Sequence, residues 1–338
     1  MDAPSSDSEL FGSDTHTRPP KRARHSSPQR PSTAGSSHSF DGGPDGLHSH
    51  PRMYSANGNG HGGDIAPKPA LQPSILGVEP LDEFIREIAD FIHFHISNRP
   101  PDAGGTVEVE AKIGLLKDRN SGQRLQLPVL VETILAPDSI DLRFESNMSA
   151  KQHQHFNKLL NDLKIKNAEL QIDYEHLHLI DNFFEPDRGR DKVRVTRDEK
   201  TGDVRACMRK VRLGDLNIYC PKRLVDWRVS VNMEIPVPPP LGSPTHTRRK
   251  DRLSYSHQEF AIDLTQVTAT AGPNSKPEVL HELEVELKNS EYLVAMAAKR
   301  GDPALSAEEQ NAFDELVHAF VNNARILTRN AAPGADGR

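Results

Sequence analysis

The sequence predicts an α+β fold in which about eight antiparallel strands close into a β-barrel around a polar tunnel, with amphipathic helices packed on the outside. Three observations lead there. Residues 106–114 alternate strictly, so Glu108, Glu110 and Lys112 share one face while Val107, Val109, Ala111 and Ile113 share the other. Residues 281–288 echo that pattern with Glu282, Glu284 and Glu286. The other strand-like runs are built the same way. Asp226, Arg228, Ser230, Asn232 and Glu234 oppose Trp227, Val229, Val231 and Met233, and Lys192, Arg194 and Thr196 line up, as do Lys250, Arg252 and Ser254, then Asp263 and Thr265. A single strand of this kind reads as a sheet wetted on one side. The whole set, with amphipathic helices available to cover the apolar faces, reads as a barrel turned inside out. A transmembrane barrel shares the inversion, but the intervening helices and the missing aromatic girdles speak against it.

Residues 1–73 are dominated by Ser, Gly, His, Pro and Asn, a composition that cannot offset its own ordering entropy. A disordered tail is expected there, leaving 74–338 as one tunnel domain. Within the tail, Pro20-Lys21-Arg22-Ala23-Arg24 resembles a nuclear import signal and Ser27-Pro28 a proline-directed phosphorylation site. Over 81–97, Phe84, Ile85, Ile88, Phe91, Ile92 and Ile96 recur at helical spacing and stop before Pro100-Pro101. His93 and His95 lie two apart on that helix, do not face each other, and receive no chemistry. A Gly- and Pro-punctuated stretch at 117–137 precedes a strand at 138–145.

Ser149 and Gln152 form a capping box for a helix carrying Phe156, Leu159, Leu160 and Leu163. Strands are then expected at about 169–180, 192–197, 204–211, 224–235, 252–255 and 259–267, with a hairpin turn at Lys200-Thr201-Gly202 and an exposed loop at 236–249. After the second glutamate strand a short helix runs from Ser290 to Arg300. A final helix opens with Ser306-Ala307-Glu308-Glu309 and carries Phe313, Leu316, Val317, Phe320 and Leu327.

Composition narrows the function. A net charge of −6 excludes a generally basic nucleic-acid binder, so any basic surface is local. Cys207 and Cys220 are too few for a disulfide framework or a zinc site and read as small half-buried residues of a reducing compartment. No apolar run reaches transmembrane length and no secretory segment opens the chain, so a soluble intracellular protein without membrane contact is expected.

If the two glutamate strands are neighbours, as many as five carboxylates converge. Two such charges about 4 Å apart repel by roughly 4 kcal/mol at an effective dielectric near 20, so the cluster needs protons, cations or a bound metal. An all-oxygen site suits Mg²⁺ or Mn²⁺. Facing Lys and Arg from other strands complete an arrangement matching a polyphosphate with its divalent cation.

At this point the residues carry a resemblance. Glu-Val-Glu-Ala-Lys-Ile-Gly at 108–114, Arg-Phe-Glu-Ser at 143–146, Lys-Val-Arg-Val-Thr at 192–196 and Arg-Val-Ser-Val-Asn-Met-Glu at 228–234 appear in that order. Lys-Asp-Arg-Leu-Ser-Tyr at 250–255, Ile-Asp-Leu-Thr-Gln-Val at 262–267 and Glu-Leu-Glu-Val-Glu at 282–286 follow. Over about 81–329 the chain resembles the fungal mRNA 5′-triphosphatases, the beta subunits of the capping enzyme, within the triphosphate tunnel metalloenzymes.

The resemblance implies that Glu108, Glu110 and Glu286 hold the metal, with Glu282 and Glu284 acting through its water shell. It implies phosphate contacts from Arg194, Lys250 and Arg252, added positive charge from Lys112 and Lys210, and wall positions at Asp263 and Thr265. Glu234 is the candidate for orienting or deprotonating the attacking water, and a structural carboxylate paired to Arg228 is the alternative. Where the family leads one to expect a basic residue two positions before Asp263, this chain has Ala261.

The implied activity is metal-dependent removal of the γ-phosphate from the 5′-triphosphate end of nascent RNA, the first step of mRNA capping in the nucleus. Hydrolysis of nucleoside triphosphate or polyphosphate by the same fold and a non-catalytic RNA-end scaffold are the alternatives. A homodimer and contact with the capping guanylyltransferase or the transcription machinery are also implied, although the family's short Trp-containing docking segment is not visible in the tail.

Overall fold

The strand read from the alternation of residues 106–114 extends to Asp118 in a computed structural model that describes residues 70–100, 104–185, 191–270 and 275–331. The basic run at 20–24, Ser27-Pro28, Pro101 and the tail up to residue 69 lie outside the described residues. Among the described residues the strands are β1 (Thr106–Asp118), β2 (Thr133–Leu135), β3 (Leu142–Glu145), β4 (Asp173–Phe184) and β5 (Val193–Asp198). They continue as β6 (Val204–Tyr219), β7 (Asp226–Pro236), β8 (His246–His257), β9 (Phe260–Thr270) and β10 (Glu278–Leu287). The α-helices are α1 (Glu83–Ser97), α2 (Ala150–Lys166), α3 (Ser290–Lys299) and α4 (Ala307–Arg329).

The strand order β10-β9-β8-β4-β5-β6-β7-β1 is closed by a β1–β10 pairing, so eight antiparallel strands form a barrel, while β3 extends β1 and β2 hangs on β6. The inside-out expectation holds. Val107, Val109, Ala111, Ile113, Trp227, Val229, Leu283 and Val285 are buried on the outer wall, in one core with Ile88 and Ile92 of α1, Phe156 of α2, Leu293 of α3 and Phe313 and Phe320 of α4. Burying each such large apolar side chain contributes about 1.5–3 kcal/mol.

The helix starts follow from their caps. Ser149 and Ser306 each accept from the backbone of a residue three on, with Gln152 and Glu309 reaching back, and Asp82 caps α1. Among the described residues no helix is long and apolar enough to cross a membrane.

Several boundaries differ from the sequence reading, for local reasons. The strand expected over 169–180 begins at Asp173, because Ala168–Leu170 form a 3₁₀ turn and Gln171 takes φ 48°. The one expected from 138 begins at Leu142, Asp138 having φ 55°. The loop expected to end at 249 ends before His246, since His246, Thr247, Arg248 and Arg249 already pair with β4. β6 runs eight residues past the expected 211, through a bulge between Arg212 and Gly214 that shifts its register against β7. Gly214 is needed there: a Cβ would lie 2.2 Å from Nε2 of His95 on α1.

Candidate active site

Register decides which charges meet. Glu110 pairs with Glu286 and Lys112 with Glu284 across β1–β10, while Glu108 pairs with Asn232 and Lys112 with Arg228 across β1–β7. The alternating faces then point these groups into a tunnel of about 810 Å³. Carboxylates gather on one part of its wall. Glu108 and Glu110 are tied together by Asn232, whose Nδ2 donates to Glu108 at 2.9 Å and to Glu110 at 3.2 Å. Lys210 reaches the same pair, bonding Glu108 closely and Glu110 at 3.1 Å.

Glu286 is different. Among the described residues its carboxylate makes no hydrogen bond or ion pair, and across β9 its register partner is Ala261 rather than a cation. Burial, then Glu108, Asp263, Glu110 and Glu284, push its carboxyl up to about 8. Burial and Glu110 also raise Glu108, against the pull of Lys210. Three desolvated carboxylates share two ammoniums, Lys210 and Lys112, the latter 3.2 Å from Glu110 and also bonded to Glu284, so the cluster lacks about one positive charge or more, which a divalent cation restores. The donor set is all oxygen and hard, so it fits Mg²⁺ or Mn²⁺.

Glu284 sits on the other side of the balance. Burial alone would raise it, but Lys112, closely bonded, and Arg252, at 3.7 Å, hold it well below the usual carboxylate range. Lys112 is raised in turn because Glu284 and Glu110 overcome its burial. Glu282 accepts from Arg248 at 2.7 Å. Both carboxylates are thus engaged by cations and fix where those cations point.

The facing wall is basic. Arg252 donates to Asp263 at 2.5 Å and to Thr265 at 3.1 Å, so these two buried β9 residues hold Arg252 from behind. Lys250 donates to Asp181 at 2.5 Å. Lys250 is nevertheless lowered, because burial and the guanidiniums of Arg252 and Arg194 outweigh that one carboxylate, while Asp181 is lowered because Lys250 and Thr196 outweigh its own burial. Such a lysine gains from an incoming anion.

Arg194 bonds Glu234 at 2.8 Å. Arg228 lies elsewhere, donating to Asn217 at 2.7 Å and Asp215 at 3.1 Å, its guanidinium 4.8 Å from the Phe144 ring. Its separation from Glu234, six residues or about 20 Å along a strand, rules out the Arg228–Glu234 pair.

The tunnel therefore brings together all the sequence-derived candidates, with Asp263 and Thr265 one layer behind. It adds Asp181 and Arg248 to the lining, and Asp215, which accepts from the lining residues Arg228 and Ser230. Asp181 lay one residue past the expected strand end, Arg248 in the expected loop, and Asp215 beyond the bulge that moves odd-numbered β6 residues to the lumen.

A family model described as "mRNA capping enzyme, beta chain" matches residues 78–333. The chain belongs to the mRNA capping enzyme beta-chain family. Among its curated relatives, the mRNA-capping enzyme subunit beta of Schizosaccharomyces pombe is 36% identical over 268 residues, covering 77% of this chain and 86% of the relative. The subunit of Cryptococcus neoformans is 31% identical over 270 residues, covering 77% of this chain and 64% of the relative. Among solved structures, S. pombe Pct1 RNA triphosphatase in complex with the Spt5 CTD superposes with a TM-score of 0.70 at 34% identity, over 78% of this chain and 100% of that one. The beta-chain resemblance read from the seven motifs and the tunnel architecture are both shown by these matches. Within this family fold, the lumen described above is the candidate active site.

Proposed function

We propose that the chain hydrolyses the γ-phosphate from the 5′-triphosphate end of nascent RNA, leaving a diphosphate end for capping. The observation that carries this is the split lumen: the Glu108, Glu110 and Glu286 carboxylates face a wall of Arg194, Lys250 and Arg252 inside one closed tunnel. A triphosphate spans both, its oxygens on the basic wall and its divalent cation on the acids. Glu108, Glu110 and Glu286 would hold Mg²⁺ or Mn²⁺, which supplies Lewis-acid polarisation and charge neutralisation when bound.

The chain's own groups do the rest. Arg194, Lys250 and Arg252 bind phosphoryl oxygens and gain strength as negative charge spreads over them during in-line attack. Lys112 and Lys210 bridge the acidic and basic regions, and Asp263, Thr265, Asp181, Glu282 and Glu284 fix the cations' orientation. Glu234, beside Arg194, orients the attacking water and takes its proton, while Arg228 extends the positive wall. Most of the catalysis is positioning and fixed electrostatics, with no covalent intermediate.

The same reading places the protein in the nucleus, in contact with the capping guanylyltransferase or the transcription machinery. It also makes the chain a homodimer, for which the exposed Leu71, Ile75, Leu76, Val78 and Leu81 supply apolar surface. Sedimentation tests this, and a monomer refutes it. The activity is tested by release of labelled γ-phosphate from 5′-triphosphate RNA, with and without Mg²⁺ or Mn²⁺, in the wild type and Glu286→Ala. Metal-dependent release lost in the variant is the expected result. Folded protein that binds RNA ends without release overturns it in favour of a scaffold, and a large preference for free nucleotide demotes the capping role.

A further inference from the structure

We propose that the outer wall of the barrel carries a second metal site, for a transition-metal ion of the Zn²⁺ class, built by His176, His178 and Asp251. Strand alternation separates it from the tunnel. Leu179, Asp181 and Phe183 of β4 and Lys250 and Arg252 of β8 line the lumen, so His176, His178 and Asp251, offset by one or three residues, point outward. Two histidines two residues apart on one strand share a face, and the antiparallel register sets Asp251 directly opposite His178. The triad is thereby assembled by the sheet itself, with no loop to order.

The geometry is close to a coordination sphere. One ligand atom from each residue lies within 4.8 Å of the others. His176 Nε2 is 2.6 Å and His178 Nδ1 4.0 Å from Asp251 Oδ1, and the two imidazole centroids are 4.4 Å apart. Metal–ligand bonds of about 2.0–2.1 Å place tetrahedral donor atoms about 3.3 Å apart, so small side-chain rotations close the site. The side chains are 43%, 32% and 50% exposed, which leaves a fourth position open to water or to a donor from a partner. Two imidazoles and a carboxylate take Zn²⁺ and its neighbours, whereas the hard oxygen set in the tunnel takes Mg²⁺ or Mn²⁺, so the two sites select different ions. A simple hydrogen bond between His176 and Asp251 leaves His178 without a role. A shared cation engages all three.

The test is calorimetric titration of Zn²⁺ into the full chain with the tunnel held in saturating Mg²⁺. Because the chain has 16 histidines, imidazole nitrogen resonances are followed in parallel. Wild type is expected to take one more equivalent than His176→Ala/His178→Ala, with a Zn²⁺-dependent rise in Tm that the double variant lacks. Asp251→Asn should weaken this equivalent at least tenfold, and the His176 and His178 ring nitrogens should shift first. Phosphate release in Mg²⁺ should be unchanged in the double variant, which separates this site from the tunnel. Equal Zn²⁺ uptake by wild type and double variant, or wild-type shifts confined to other histidines, overturns the proposal without touching the tunnel assignment.

Discussion

At the scale of single residues the decisive feature is Glu286, a carboxylate with neighbours of its own sign and no cation within bonding distance. Its folded-state pKa of about 8 lies above the ordinary value of 4.5, so in metal-free protein it contributes fully below pH 4.5 and its contribution is lost as pH rises through 8. Glu286→Gln should therefore stabilise metal-free protein at pH 8 by on the order of 2 kcal/mol and do nothing at pH 4.5. With Mn²⁺ present the order should reverse, because only the wild type gains from binding. Thermal melts in chelator and in Mn²⁺ check both halves, and a variant less stable than wild type in chelator would contradict the electrostatic reading. Phosphate release by the same variant should fall by roughly two to three orders of magnitude, the scale of losing one group matched to transition-state charge.

Between elements, two of the polar and close-packed contacts that join the helix layer to the barrel were not legible in the sequence. Glu132, in the stretch expected only to be a Gly- and Pro-rich connection, accepts from Trp227 Nε1 at 2.9 Å and from Arg325 of α4 at 2.7 Å. Arg325 in turn lies 4.2 Å over the Phe84 ring of α1. Nothing in a linear pattern announces a partner 193 residues away. Glu132→Ala leaves Arg325 and Trp227 without their acceptor and should cost about 2–4 kcal/mol, read as a fall in denaturant midpoint at unchanged slope.

The second contact is the seat of His95 at Gly214. Gly214→Ala should destabilise by about 1–3 kcal/mol through overpacking, and His95→Ala added to it should recover most of that loss. Additive losses in the double variant would place the effect in the bulge rather than the contact. The element types themselves were legible, because period-two alternation and capping boxes are local signals. The bulge in β6 was not. One inserted residue reverses the face of everything after it, which hid Asp215.

For the whole molecule, the inversion of inside and outside could be inferred from the set of strands but from no single one. Each strand alone fits an ordinary wetted sheet, and only the shared excess of charge on β1, β5, β7, β8 and β10 requires a common lumen. The sheet closes through pairings between residues 106 and 287, and its apolar wall is covered by helices lying between residues 83 and 329. Every strand and helix named above therefore lies after residue 69. A chain beginning at Ala70 should melt within about 2 °C of the full chain, since a loss of 1 kcal/mol would already move Tm by about 2–4 °C at this size. Its γ-phosphate release from a short 5′-triphosphate RNA should stay within about twofold, because every group assigned to the reaction lies in the retained part. A large fall in Tm would mean that the barrel leans on the first 69 residues for packing. An unchanged Tm with a large fall in release would instead assign those residues to delivering RNA to the tunnel, and would locate part of the substrate-binding surface outside the barrel.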